Sequence, residues 1–256
     1  MREDDMMRTA DLALSTPGTV FWDFDGTLVS RPSMWLRSAL CAAAEIAPHR
    51  SVPADDLATA LESGFPWHRP DLPHPELCNA EAWWIRVMGR IAEALHALGC
   101  TPAEAQSISQ SVRERIVDAS QYQVFPDVDP ALQRLADAGW IQAVFSNHIP
   151  ELADLLRDLG LARYFARIYT SALVGYEKPH AGFLGRVLAD GPWPGPIWIV
   201  GDSVEADCLP AAAHGCRAIL VRSLDARYRP HVADLGQAVD LLVASSAARE
   251  GQEDWS

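Results

Sequence analysis

The sequence has few cysteines, and their spacing argues against two uses that cysteine has in other proteins. Among 256 residues there are five, at positions 41, 78, 100, 208 and 216, and no two of them form a Cys-x-x-Cys pair. A disulfide framework and a structural zinc site both need paired or regularly spaced cysteines, so neither is predicted. Reduced thiols are the preferred interpretation, and we expect a cytoplasmic location.

Long apolar runs and clusters of basic residues are also absent. No stretch approaches the roughly 20 apolar residues that a membrane-spanning helix needs, and the N-terminal segment lacks the apolar centre of a secretory signal. The 34 acidic residues outnumber the 21 basic ones, which gives a net charge of -13. Because such a surface repels nucleic acid and anionic membranes, neither is expected as a partner.

What the chain does contain is an alternation of strand and helix patterns. Apolar runs typical of buried strands cover residues 19–22, 140–145, 167–170, 197–200 and 216–221, and helical patterns follow most of them. This order predicts an α/β fold, a Rossmann-like parallel sheet with helices on both faces. Functional residues of such sheets lie at the carboxyl ends of the strands.

Residues 30–120, called here the helical region, interrupt that alternation. Helical patterns cover 33–46, 54–61, 81–98 and 102–119, and no segment is convincing as a strand. The sequence therefore predicts an all-helical domain inserted into a core of residues 16–29 and 121–244. The polar or small residues at the two ends predict tails over 1–15 and 245–256.

The first polar motif, DFDGTL at residues 23–28, directly follows the first predicted strand. Its carboxylates, Asp23 and Asp25, repel each other unless a cation lies between them or one of them is protonated. Gly26 allows the chain to turn sharply away from the sheet. The motif therefore fits a metal ion, a nucleophile and an acid at one place, although an Asp-Gly turn without chemistry is the alternative for this segment alone.

Three further polar motifs follow apolar stretches, and they are Phe145-Ser146-Asn147, Glu177-Lys178-Pro179 and GDSVEAD at 201–207. In this order the four motifs, which span residues 19 to about 222, resemble the signature of the haloacid dehalogenase superfamily. The resemblance implies a Mg²⁺-dependent phosphatase working through an aspartyl-phosphate, with the helical region as a cap inserted after the first strand.

The resemblance also assigns the two carboxylates of the first motif. Asp23 corresponds to the nucleophile, which attacks phosphorus and divides one hard hydrolysis into two easier steps. Asp25 corresponds to the acid–base aspartate, which protonates the leaving oxygen and then activates water. Superfamily members that cleave carbon–halogen bonds lack an aspartate at the second position, so Asp25 argues against dehalogenation.

Metal and phosphate ligands follow from the same resemblance. Mg²⁺ prefers oxygen ligands, and those implied are Asp23, the backbone carbonyl of Asp25, and Asp202. Asp207 would support these ligands or hold Lys178.

Ser146 and Lys178 are expected to bind phosphate oxygens and to neutralise charge during phosphoryl transfer. The backbone N–H groups of Phe24 and Asn147 are further candidate phosphate donors. Thr27 is placed with them as the threonine that braces the turn.

The helical region holds the candidates for substrate specificity. Trp67, His68 and Arg69 lie in a proline-rich segment that reads as a loop, where Trp67 could stack on a ring and Arg69 could contact a second anionic group. Trp83 and Trp84 are instead interpreted as the apolar core of the region, because a small helical unit needs bulky apolar residues.

Either of two isolated histidines, His148 and His180, could line the site, but capping or surface positions are the favoured interpretation for both. The sequence as a whole predicts a phosphatase acting on a small phosphorylated metabolite. A phosphomutase of the same superfamily and a non-catalytic binding or regulatory module that retains the fold are the alternatives. Neither the particular substrate nor the oligomeric state follows from the sequence.

Overall fold

Six parallel strands form the central sheet of the structure, a computed structural model that describes residues 16–253 apart from 224 and 226. The strands in chain order are β1 (Thr19–Trp22), β2 (Val29–Ser30), β3 (Gln123–Val124), β4 (Ile141–Ser146), β5 (Arg167–Thr170), β6 (Ile197–Gly201), β7 (Arg217–Val221) and β8 (His231–Val232). The sheet has the order β5-β4-β1-β6-β7-β8. Strand β1 lies inside the sheet and is buried along its length, as its unbroken apolar run predicts.

Helices cover both faces of this sheet and build the helical region. In chain order they are α1 (Met34–Ile46), α2 (Ala54–Ala60), α3 (Ala80–Ala97), α4 (Pro102–Ile116), α5 (Val128–Asp137), α6 (Leu152–Asp158), α7 (Ser171–Val174), α8 (Ala181–Ala189), α9 (Leu209–Ala213) and α10 (Leu235–Glu253). Val20 and Trp22 of β1 pack in one apolar cluster with α5 and α10, and Phe21 packs in another with α8. The predicted α/β architecture is confirmed.

None of the described helices combines the length and apolar character needed to cross a membrane.

Helices α1 to α4 occupy the helical region, close to the four predicted segments. The chain enters and leaves this region through β2 and β3, which form a short antiparallel pair. Trp83 and Trp84 of α3 are buried, which confirms their interpretation as core residues of the region. Helix α4 begins with a capping box, in which Thr101 and Glu104 each accept a hydrogen bond from the other's backbone N–H.

Helix α8 begins at Ala181, directly after His180, whose ring caps the helix by accepting a hydrogen bond from Gly182 N. At the C-terminal end the structure differs from the sequence-based expectation. Helix α10 continues into the predicted C-terminal tail, where Ala247 and Ala248 favour helix. The predicted N-terminal tail, 1–15, lies outside the described residues.

Candidate active site

Three neighbouring strands bring the predicted site residues together at the carboxyl edge of the sheet. Strand β1 lies between β4 and β6, so Asp23, Ser146 and Asp202 leave the sheet side by side. Asp23 is buried, and the Ser146 hydroxyl donates a hydrogen bond to Asp23 Oδ1 over 2.9 Å. The parallel arrangement thus joins residues that lie 123 positions apart in the chain.

Lys178 reaches the same carboxylate from the segment between α7 and α8. Its ammonium donates to Asp23 Oδ1 and to Asp207 Oδ1, both over 2.6 Å, and its side chain is only 3% exposed. Burial alone would lower the pKa of Lys178, but the carboxylates of Asp207 and Asp23 outweigh it and hold the pKa above its usual range. The lysine therefore carries a fixed positive charge beside Asp23.

Asp207 is the residue that orients this lysine. It lies in a π-helical turn, Val204–Cys208, and its second oxygen accepts a hydrogen bond from Ser203 N over 3.1 Å. Gly201 allows the close approach, because a Cβ there would lie 2.1 Å from Asp207 Oδ2. Of the two roles predicted for Asp207, the contacts match the one that holds Lys178.

Asp23, Asp202 and Asp207 form a cluster that could hold a metal ion. Each offers one carboxylate oxygen, and these three atoms lie within 4.8 Å of one another. Burial, and then the negative charges of Asp23 and Asp207, raise the pKa of Asp202 to about 7. This shift is expected where several carboxylates lie together and the nearby positive charge does not balance them. Asp23 and Asp202 are the better ligands, since both oxygens of Asp207 already accept hydrogen bonds.

The turn after β1 is shaped to bring the backbone close to this cluster. Gly26 has a φ of 77°, and a Cβ on it would lie 2.2 Å from Asp202 Oδ2. Thr27 is buried within the turn, where its carbonyl accepts a hydrogen bond from Arg222 Nε over 3.1 Å. The Phe24 carbonyl accepts hydrogen bonds from Leu28 N and Val29 N, which tightens the same turn. A carboxylate donor set with a glycine at the closest approach fits Mg²⁺.

The surroundings of Asp25 favour its protonated form. Burial, and then the neighbouring Asp23, raise the pKa of Asp25 to about 7. Its Oδ1 atom is buried without a hydrogen-bond partner among the described residues. The site therefore pairs one carboxylate held next to a lysine with another that can exchange a proton near neutral pH.

His148 belongs to the site, although the sequence-based interpretation placed it at a cap or on the surface. Its side chain is fully buried, and Nε2 lies 3.4 Å from Asp25 Oδ2. Burial, and then the charge of Arg31, lower the pKa of His148 to about 3, so the ring is neutral at physiological pH. Its position two residues after Ser146, beyond the end of a strand, was the signal that could have found it. His180, by contrast, caps α8 as expected.

Arg31 is a second residue that sequence reasoning missed. It follows β2, and its guanidinium donates to the backbone carbonyls of Arg115 and Ile116 over 2.8 and 3.2 Å and lies 4.4 Å from the ring centre of Tyr122. Arg31 lines an opening of about 500 Å³ together with Asp25. Its charge lowers the pKa of Asp25, against the larger effects of burial and Asp23.

Asn147 positions the lysine segment through its side chain. Asn147 Nδ2 donates to the Lys178 carbonyl over 3.1 Å, and Lys178 N donates to Asn147 Oδ1 over 2.7 Å. This reciprocal pair ties the end of β4 to the residue that neutralises Asp23. The backbone N–H groups of Phe24 and Asn147 stay candidates for phosphate binding.

The three specificity candidates have different surroundings. Trp67 lines a cavity with His148, and His68 lines the opening that contains Asp25. Arg69 is exposed, pairs with Asp71 over 3.1 Å, and lines a separate cavity that contains none of the predicted catalytic residues. The structure thus brings Trp67 and His68 to the site and leaves Arg69 outside it.

Sequence comparison agrees with this geometry. Residues 17–215 match the family model of haloacid dehalogenase-like hydrolases. Haloacid dehalogenase-like hydrolase domain-containing protein 3 of Xenopus laevis is 25% identical over 170 residues, which are 64% of this chain and 68% of that protein. Phosphoglycolate phosphatase of Pectobacterium atrosepticum is 34% identical over 138 residues, which are 50% of this chain and 57% of that protein.

Structure comparison finds the same fold in a solved structure. The 2-haloacid dehalogenase from Pseudomonas syringae pv. Tomato DC3000 has the same fold, with a TM-score of 0.64 over 89% of this chain and 98% of that one at 24% identity. The resemblance predicted from the four motifs is confirmed, because the family model covers most of the chain. The protein belongs to the haloacid dehalogenase-like hydrolases.

Proposed function

We propose that this hydrolase is a Mg²⁺-dependent phosphatase that cleaves a small phosphorylated metabolite through an aspartyl-phosphate on Asp23. The observation that carries the proposal is the contrast within one motif. Asp23 contacts the ammonium of Lys178 over 2.6 Å, whereas the pKa of Asp25 is raised to about 7. A nucleophile must be ionised and a general acid must hold a proton, and these two environments favour those two states.

In the first step the Asp23 carboxylate attacks phosphorus, and the bond between phosphorus and the leaving oxygen breaks. Asp25 transfers its proton to that oxygen, so the alcohol leaves neutral. Ser146 and Lys178, both within hydrogen-bond distance of Asp23 Oδ1, bind oxygens of the phosphoryl group as negative charge shifts onto it.

In the second step water attacks the phosphorus of the aspartyl-phosphate. Asp25, now ionised, takes a proton from the water, and the Asp23–phosphate bond breaks to release inorganic phosphate and the free carboxylate. His148 is neutral and its Nε2 atom lies 3.4 Å from Asp25 Oδ2, so it contacts the acid–base carboxylate without adding a charge beside it.

Asp23, Asp202 and the backbone carbonyl of Asp25 would hold the Mg²⁺. The bound ion would supply positive charge that stabilises the phosphoryl group during its transfer and offsets the repulsion among the carboxylates. Lys178 alone offsets that repulsion only in part, as the raised pKa of Asp202 indicates.

The named relatives support a phosphatase over the other chemistries of the family. One of them is a phosphoglycolate phosphatase, whereas the 2-haloacid dehalogenase shares the fold alone. Asp25 has no function in the direct displacement of a halide, and its raised pKa suits an oxygen leaving group. A phosphomutase would use the same residues and return the phosphoryl group to its substrate.

A cytoplasmic location and a small-molecule partner stay predictions.

The test is hydrolysis of p-nitrophenyl phosphate with Mg²⁺, with EDTA, and by the Asp23→Asn variant. We expect p-nitrophenol release that depends on Mg²⁺ and is lost in the variant. Inorganic phosphate should appear in equal amount, whereas a phosphomutase would transfer the group to an added sugar phosphate. No release in the presence of Mg²⁺, together with no Mg²⁺-dependent binding of BeF₃⁻ by ¹⁹F NMR, would contradict the proposal and favour a binding module.

A further inference from the structure

A cavity of about 280 Å³ lies between the helical region and the carboxyl edge of the sheet. Trp35, Trp67 and Trp83 line it from the helical region, and His148 and Glu177 line it from the core. Because His148 also contacts Asp25, the cavity adjoins the acid that protonates the leaving oxygen. It is therefore placed to hold the part of the substrate that leaves, and its volume suits only a small group.

The wall from the helical region is aromatic. The rings of Trp35 and Trp67 stack with centroids 5.2 Å apart and an angle of 21° between their planes. The ring of Trp83 lies 6.2 Å from each of them, tilted by 46° and 36°. Indole faces carry negative electrostatic potential and attract cations more strongly than other aromatic rings do.

Glu177 lines the cavity on the opposite side and is 1% exposed. Its Oε1 atom lies 3.2 Å from His74 Nε2, and among the described residues neither of these two atoms makes a hydrogen bond. Among the residues that line the cavity there is no lysine or arginine. The buried carboxylate therefore has one imidazole as its neighbour, and a cation bound in the cavity would add positive charge that compensates its burial.

We propose that this cavity binds an alkylammonium group on the leaving alcohol, so that the substrate is a phosphate monoester of an amino alcohol such as choline phosphate. This inference rests on the proposed phosphatase function. The three indole rings would supply dispersion and cation–π contacts to such a cation, and the carboxylate of Glu177 would supply the opposite charge. The same carboxylate repels an anionic leaving group, so a substrate such as phosphoglycolate is disfavoured.

The experiment compares kcat/KM for choline phosphate, for its neutral isostere 3,3-dimethylbutyl phosphate, and for phosphoglycolate. The first two have the same shape, so their ratio isolates the positive charge. We expect choline phosphate to exceed the isostere by roughly tenfold or more, the range given by a desolvated cation on indole, and phosphoglycolate to be the poorest. Equal values for the first two, or a preference for phosphoglycolate, would overturn the inference.

Two substitutions assign the effect to the cavity. Glu177→Gln and Trp67→Leu should each lower the ratio of choline phosphate to isostere by about tenfold. Glu93→Gln, the same change on an exposed face of α3, should leave the ratio unchanged. If Glu177→Gln keeps the wild-type ratio, the glutamate serves only its contact with His74 and the inference fails.

A binding measurement separates this inference from the proposed function. Titration of the Asp23→Asn variant with choline should change tryptophan fluorescence, and 3,3-dimethylbutanol should bind about tenfold more weakly. If p-nitrophenyl phosphate is hydrolysed but choline and dimethylbutanol bind equally, the phosphatase function stands and the alkylammonium site is refuted. If choline binds selectively but no phosphate ester is hydrolysed, the site stands and the phosphatase function fails.

Discussion

The two sides of the active-site opening are built from different chemistry. At the sheet edge, charged groups contact one another directly, with Lys178 2.6 Å from both Asp23 and Asp207. On the side of the helical region, Trp35 and Trp67 present stacked indole rings and no charge. The first side has the groups that break and form bonds to phosphorus, and the second can only select what is attached to the phosphate.

Substitutions on the two sides should therefore have different kinetic signatures. A change at the sheet edge removes groups needed by every phosphate ester, so kcat should fall for all of them. A change in the helical region should alter the ranking of substrates while chemistry continues.

The largest effect is expected from Asp25→Asn, which removes the general acid and base. We expect kcat/KM for an alkyl phosphate to fall by about 100- to 10,000-fold. The loss with p-nitrophenyl phosphate should be smaller in the first step, because nitrophenolate leaves without a proton. Steady-state and burst kinetics with both substrates measure this difference. Equal losses in the burst rate for the two esters would argue against Asp25 as the acid.

Lys178→Met should lower both activity and stability, because it leaves two buried carboxylates unpaired. We expect the free energy of unfolding to fall by about 3 kcal/mol, in the range for removal of one partner of a buried ion pair. Urea unfolding measures this. Arg227→Met is the control. It removes the ion pairs that the exposed Arg227 makes with Asp225 and Glu205, and it should barely move the unfolding midpoint. Similar effects of the two substitutions would mean that the buried lysine is not needed for stability.

A third effect concerns pH and metal. The pKa values of Asp25 and Asp202 are raised from 3.8 to about 7 in the folded protein, so the folded state binds these protons more tightly than the unfolded one. The stability that follows is present below about pH 4 and is lost as the pH rises through 7. In EDTA, the melting temperature should therefore fall between pH 5 and pH 8.

Added Mg²⁺ should raise the melting temperature most at the high end of this pH range, where the carboxylates are ionised. Asp202→Asn is the matched control, and it should flatten the pH dependence and weaken the response to Mg²⁺. A melting temperature in EDTA that stays constant or rises from pH 5 to pH 8 would contradict the raised pKa values.

The smallest effect is expected from Arg69→Ala. Arg69 is exposed, pairs with Asp71, and lines a cavity apart from the catalytic residues. We expect kcat/KM to change by less than about twofold for any phosphate ester, as for most surface changes. Kinetics with choline phosphate and phosphoglycolate would check this. A selective loss with phosphoglycolate would mean that Arg69 reaches the substrate after all.

Much of the sheet edge could be predicted from the sequence because each catalytic residue directly follows an apolar run. The positions of Asp23, Ser146 and Asp202 follow from parallel strands whose carboxyl ends share one edge. Strands β1 and β5 have the predicted bounds. Strand β1 is buried along its length, and such strands have unbroken apolar sequences.

The aromatic side of the opening could not be predicted in this way. Whether Trp67 or Arg69 faces the site depends on how the loop between α2 and α3 packs, which is a long-range property. His148 was misassigned because an isolated histidine has no periodic pattern, and its burial against Asp25 comes from the packing of Phe24 and Tyr122 around it. Arg31 was missed because its guanidinium is fixed by backbone carbonyls of the distant helix α4.

Trapping the aspartyl-phosphate tests the role of Asp23 as the nucleophile most directly. The Asp25→Asn variant, given Mg²⁺ and p-nitrophenyl phosphate, should form the intermediate and hydrolyse it slowly, because the leaving group is good and the base for water is missing. Borohydride converts an aspartyl-phosphate to homoserine, which peptide mass spectrometry locates. We expect homoserine at position 23. Release of p-nitrophenol with unmodified Asp23, or with the modification at another carboxylate, would contradict it.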